Sequence, residues 1–160
     1  MNGDDRFISP TKGPLTLDEM FDDVIAYMQS VPDGKYKMII GTDSQTRDDI
    51  CFVTAVIIHR QGKGARYYYN RRWHRNISSL RQKIFYETSL SLNVASDLAQ
   101  RLASNGHAEL DLEIHLDIGQ MGRSRDLIRE VVGMVVGSGF DARIKPDSFG
   151  ASKVADKHTK

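Results

Sequence analysis

A single cysteine, Cys51, leaves this chain without an internal disulfide and without the thiolate set of a structural zinc site. His59, His74, His107 and His115 show no zinc-ligand spacing either. Long apolar runs are missing: the longest, residues 52–58, is far too short to cross a bilayer, and residues 1–10 carry no hydrophobic signal core. The chain is therefore expected to be cytoplasmic, in a reducing compartment, with no membrane partner. A dominant charge sign is lacking too. With 22 Lys and Arg against 21 Asp and Glu, any nucleic-acid surface must be a local patch rather than a property of the whole. Internal repeats, linkers and low-complexity stretches are absent. What remains is 160 residues of ordinary composition, enough for one domain with a real core.

Residues 1–14 show no periodicity and read as a flexible N-terminal arm, leaving 15–160 as a single domain. Thr16 and Glu19 have capping-box spacing, and Leu17, Met20, Phe21, Val24, Ile25 and Met28 form the apolar stripe of the helix they start. Three strands are predicted next, over 36–43, 50–59 and 65–74, with links short enough for an antiparallel meander. The pattern then alternates: a long helix over 80–105, a strand over 110–117, a helix capped by Ser124, a strand over 140–145 and a short helix over 148–157. The long helix carries Ile84, Thr88, Ser91, Ala95, Leu98 and Leu102 on one line.

Helical crossovers of this kind join parallel strands, and the free side of the first strand is the economical place for the fourth. The expected fold is an α/β mixed five-stranded sheet, order 3-2-1-4-5 with the second strand antiparallel, flanked by helices. In such sheets ligands bind beyond the carboxyl ends of the strands. Asp43 lies late in the first predicted strand and Asp117 late in the fourth, and neighbouring strands are about 4.8 Å apart. Glu87 falls roughly 60° from Ile84 around the long helix, on the rim of its buried stripe. Carboxylates are the normal side-chain ligands of hard divalent cations, so acids converging there point to metal-dependent phosphoryl transfer. Asp156, near the end of the chain, is a fourth acid, and Asp147 competes for that place.

Arg66, Arg71, Arg72 and Arg75, interleaved with tyrosines and Trp73, form the local basic patch that the totals demand. Arginines contact phosphates and aromatic rings stack on unpaired bases. The same residues also suit an edge strand, where basic side chains discourage further pairing.

At the acidic positions the sequence resembles the ribonuclease H-like superfamily, and within it a YkuK-like group of small bacterial proteins. The resemblance runs from about residue 37 onward and is carried by GTDSQ at 41–45, GKGA at 62–65, HLDIG at 115–119 and IKPDSFGASKVADKHTK at 144–160. It implies a nuclease that binds two Mg²⁺ or Mn²⁺ ions through Asp43, Glu87, Asp117 and Asp156, with His158 as a stand-in for the last. In that arrangement Asp43 bridges both ions, Glu87 and Asp117 hold one, and Asp156 holds the other. Ser44 and Gln45 are candidates to position the scissile phosphate, and Lys145 and His158 to assist proton transfer or product release. The implied partner is RNA, DNA or their hybrid. The alternative is a module that keeps the fold and binds nucleic acid without turnover.

Overall fold

The computed structural model describes residues 2–3, 5–120, 122–148, 154 and 158. Helix α1 (Leu17–Ser30) starts at the predicted capping box: Thr16 Oγ1 accepts from the Glu19 amide at 3.1 Å, and Glu19 Oε1 accepts from the Thr16 amide at 2.9 Å. Its buried side includes Met20, Phe21, Val24, Tyr27 and Met28.

The meander follows as β4 (Tyr36–Thr46), β5 (Ile50–Arg60) and β6 (Ala65–His74), after three short strands, β1 (Asn2–Gly3), β2 (Phe7–Ser9) and β3 (Gly13–Leu15). Helix α2 (Leu80–Ser104), capped by Ser79, buries all six residues of its predicted line. Strand β7 (Asp111–Gly119), a 3₁₀ turn (Arg123–Leu127), α3 (Ile128–Gly137) and β8 (Asp141–Lys145) complete the described elements. Among the described residues no helix is long and apolar enough to cross a membrane.

The sheet order is β3-β2-β6-β5-β4-β7-β8, with β1 also paired to β6. Its centre, β6-β5-β4-β7-β8, reproduces the predicted order, and β7 and β8 run parallel to β4 as the helical crossovers require. The fold class stands, but among the described residues the strand count is corrected from five to eight. Residues 1–14, expected as an arm, contain all of β1 and β2 and most of β3. Phe7 is buried, Ile8 pairs with Tyr69, and Ser9 Oγ accepts from the Lys12 amide at 3.1 Å to hold the turn between β2 and β3. Strands of two or three residues are too short to show a period of two, which is why they read as loop. Strand β6 is consequently covered on the side where an edge was expected.

The sheet has two unlike faces. Met38, Ile40, Val56, Ile58, Tyr68, Ile114 and Leu116 belong to the main core, shared with α1, α2 and α3. The opposite face carries a smaller cluster of Cys51, Val53, Ala55 and Tyr69, against which Val154 packs. Strand β5 is buried on both sides from Ile50 to Ile58 because each face is covered.

Candidate functional site

The register of β4 with β7 ends at Gly41↔His115. Asp43 and Asp117 each lie two residues further on, so the same offset carries both acids to the carboxyl end of adjacent parallel strands. Thr42 Oγ1 hydrogen-bonds Ser91 Oγ of α2 at 2.8 Å, and Ser44 Oγ donates to Glu87 Oε2 of α2 at 2.5 Å. Thr42 and Ser44 therefore face α2, and alternation turns Asp43 to the opposite face, beside the row Val53 and Arg71 of β5 and β6. Asp43 Oδ1 accepts from the Ser44 amide at 2.9 Å. One serine thus joins the two acids, through its amide on one side and its hydroxyl on the other.

Asp117 sits in an irregular stretch. From His115 to Gly119, β7 takes four residue steps against two on β8, between His115↔Arg143 and Gly119↔Lys145. Such a bulge re-aims side chains. Lys145 Nζ reaches Asp117 Oδ1 at 2.8 Å.

Electrostatics ties these groups together. Glu87 is pushed up to about 8, first by burial of its carboxyl and then by the charges of Asp43 and Asp117, while the Ser44 hydrogen bond and Lys83 oppose the rise. Lys145 is held above the usual lysine range, chiefly by its hydrogen bond to Asp117, with the charges of Asp43 and Glu87 adding to it. Glu87 is thus close enough to both aspartates to feel their charge. Oxygen donors of this kind suit a hard divalent cation, which would relieve the repulsion. Asp43, Glu87 and Asp117 are the residues available to hold one. Among the described residues, however, no three His, Cys, Asp or Glu side chains are arranged as a ready metal cage. Lys145 stands on Asp117 instead.

The remaining predicted residues separate. Asp156 lies outside the described residues. Asp147 is exposed in the turn after β8, its amide donating to the Ile144 carbonyl at 2.8 Å. His158 lies on β6: its ring stacks on Tyr69 at 3.7 Å, its Nε2 is 3.2 Å from the Tyr67 hydroxyl, and its carbonyl accepts from Arg71 Nε at 2.8 Å. Gln45 and Trp73 both pair across Cys51, on the Asp43 face, and Trp73 is 50% exposed. Arg72 faces the other side and pairs with Asp5 at 2.9 Å. Arg75 is exposed just beyond β6. Arg66 is engaged by Asp23 of α1 at 3.3 Å.

Asp23 is itself a buried hub that also accepts from Lys12 and the Tyr68 hydroxyl. Burial alone would raise its carboxyl, but hydrogen bonds from Lys12 and Tyr68 and the charge of Arg66 outweigh it and hold the group below its usual range.

A second polar cluster was not foreseen. Glu113 and His115, which alternate along β7 with Leu112, Ile114 and Leu116, are only 3% and 6% exposed. Glu113 bonds Lys37 at 3.0 Å, His115 Nε2 at 3.1 Å and Arg143 at 3.3 Å. Alternation along β7 gave their face correctly but could not show that the face is covered. Lys83 also bears on the site, through its charge on Glu87.

The family model described as Ribonuclease H-like matches residues 19–160. The uncharacterised protein YkuK of Bacillus subtilis (strain 168) is 38% identical over 167 aligned residues, covering 96% of both chains. No solved structure gives a significant match.

Proposed function

This chain belongs to the ribonuclease H-like family, a fold that generally works with divalent metal ions on nucleic acids, and on that premise we propose that it is a nuclease hydrolysing phosphodiester bonds in RNA, DNA or their hybrid. The reading rests on one observation above all: Asp43, Glu87 and Asp117, distant in sequence, lie at one end of the β4–β7 pair, where both aspartates act on Glu87.

Bound Mg²⁺ or Mn²⁺ supplies an activated water and a counter-charge for the leaving oxygen. Asp43, Glu87 and Asp117 are the acids that would hold a cation, with Asp156, outside the described residues, the fourth acid that the family's two-ion arrangement would call on. Ser44 fixes one Glu87 oxygen through its hydroxyl. Gln45 and Arg71 share the Asp43 face and are its candidate groups for a phosphate, and Trp73 offers a ring to an unpaired base. Arg66 belongs to the fold rather than to this surface, being held by Asp23.

The Lys145–Asp117 pair supports a second reading, in which the chain binds nucleic acid without cutting it. Labelled single-stranded, duplex and hybrid substrates with Mn²⁺ or Mg²⁺ separate the two. The nuclease reading expects strand scission that falls on the order of a thousandfold in Asp43→Asn and in Asp117→Asn, the scale of losing several kcal/mol of charge stabilisation. Binding that persists in both variants, with no scission by the wild type, would leave the binding module.

A further inference from the structure

We propose that Lys145 is a built-in cation of the acidic site, standing where the fold would otherwise take up one of two metal ions; this rests on the metal-dependent reading above. Its ammonium lies 2.8 Å from Asp117 Oδ1, a normal charge-assisted contact. What sets the pair apart from an ordinary surface ion pair is the backbone arranged around it.

In register, Lys145 lies opposite Gly119, not opposite Asp117. The two extra steps of β7 between His115 and Gly119 bring Asp117 back within reach of β8. Gly119 clears the path. A Cβ at that position would stand 3.0 Å from Lys145 Cβ, 3.7 Å from its Cδ and 3.8 Å from its Cγ, so the lysine stem runs along a glycine that has no side chain to obstruct it. Bulge, glycine and lysine together deliver one positive charge to the β7 acid, and that charge also acts on Asp43 and Glu87.

A tethered ammonium satisfies one share of the negative charge without the coordination geometry that a metal demands. The remaining share, between Asp43 and Glu87, is left for a single divalent ion. Lys145 is then a positioning residue whose removal should change how many ions bind, and not only how fast the protein works.

Titration calorimetry of Mn²⁺ into the metal-stripped full-length chain tests this. The wild type is expected to take up one ion. Lys145→Met frees Asp117, so a second ion should bind and the first should bind roughly tenfold more tightly, the effect of removing a unit charge beside a dication. Lys145→Arg keeps the charge and should keep the single ion. Gly119→Ala crowds the lysine stem and should reproduce part of the gain. Two ions in the wild type, or identical titrations for the wild type and Lys145→Met, would overturn the assignment of Lys145 alone. No Mn²⁺ uptake by either protein, with circular dichroism showing both folded, would overturn this assignment and the metal-dependent reading together.

Discussion

Glu87→Gln should make the metal-free protein more stable at neutral pH, and the size of the gain follows from the site. The carboxyl is pushed from an ordinary 4.5 to about 8 by burial and by the charges of Asp43 and Asp117. An acid raised on folding binds more protons in the folded chain than in the unfolded one. Its stabilising share is therefore complete below pH 4.5 and is lost as pH climbs through about 8. At up to about 1.4 kcal/mol per pH unit, the wild type should lose roughly 2.5 kcal/mol from this group between about pH 5 and pH 7. Glutamine carries no charge to bury and can still accept the Ser44 hydroxyl. Urea unfolding in a chelating buffer, run on both proteins at pH 5, 6 and 7, measures the difference directly, because groups common to both cancel. The curves should nearly meet at pH 5 and separate as pH rises. Adding Mn²⁺ should narrow or reverse the gap, since an ion bound only by the folded wild type stabilises it by mass action. Parallel pH profiles, or a glutamine variant that is the weaker protein at pH 7 in chelator, would refute the argument that these acids crowd one another.

Two further tests address the division between scaffold and surface. Asp23 is held below its usual range, so its contribution is full above pH 3.8 and is lost as pH falls through the lower folded value. A double-mutant cycle of Asp23→Asn with Tyr68→Phe should give a coupling of about 1.5–3 kcal/mol by urea denaturation at pH 7, shrinking in acid; a coupling near zero would mean that the buried hydroxyl finds another partner. Trp73→Ala should weaken binding of a single-stranded oligonucleotide by about 1–3 kcal/mol while barely moving Tm, whereas Arg66→Ala should lower Tm and leave binding unchanged. The opposite pairing of effects, read by fluorescence anisotropy and thermal melting, would reverse the assignment of the two residues.

The parts of the fold that were legible are those with long, repeated signals. Helix α2 has seven turns in which Ile84, Thr88, Ser91, Ala95, Leu98 and Leu102 recur on one line, and all six are buried. The order of the five central strands followed from connection lengths alone, and with it the closeness of Asp43 and Asp117. Shorter signals failed. Strands β1, β2 and β3 occupy two or three residues each among Gly and Pro, and nothing local separates them from loop. In α3, Val131 and Val135 are buried, but Val136 is 57% exposed because the helix is covered on a narrower arc than its apolar sequence allows. The fate of a charge was least legible of all. Arg66 and Arg71 stand alike in the sequence, yet one faces Asp23 and the other His158, and only the alternation of β6 about its register decides which. Lys145 and Gly119 lie 26 positions apart with a bulge between their strands, so no spacing rule could have joined them.

The short strands at the margin of the sheet have a bearing on solubility. Beyond β6 the sheet ends in β3, three residues long, whose central Pro14 has no amide hydrogen to offer a newcomer. A chain cut after Leu15 would instead expose the ten-residue flank of β6, Ala65–His74, as a template for another molecule. Strands β1, β2 and β3 act as a stopper, and without them the protein should gather into soluble aggregates or fibres through β6.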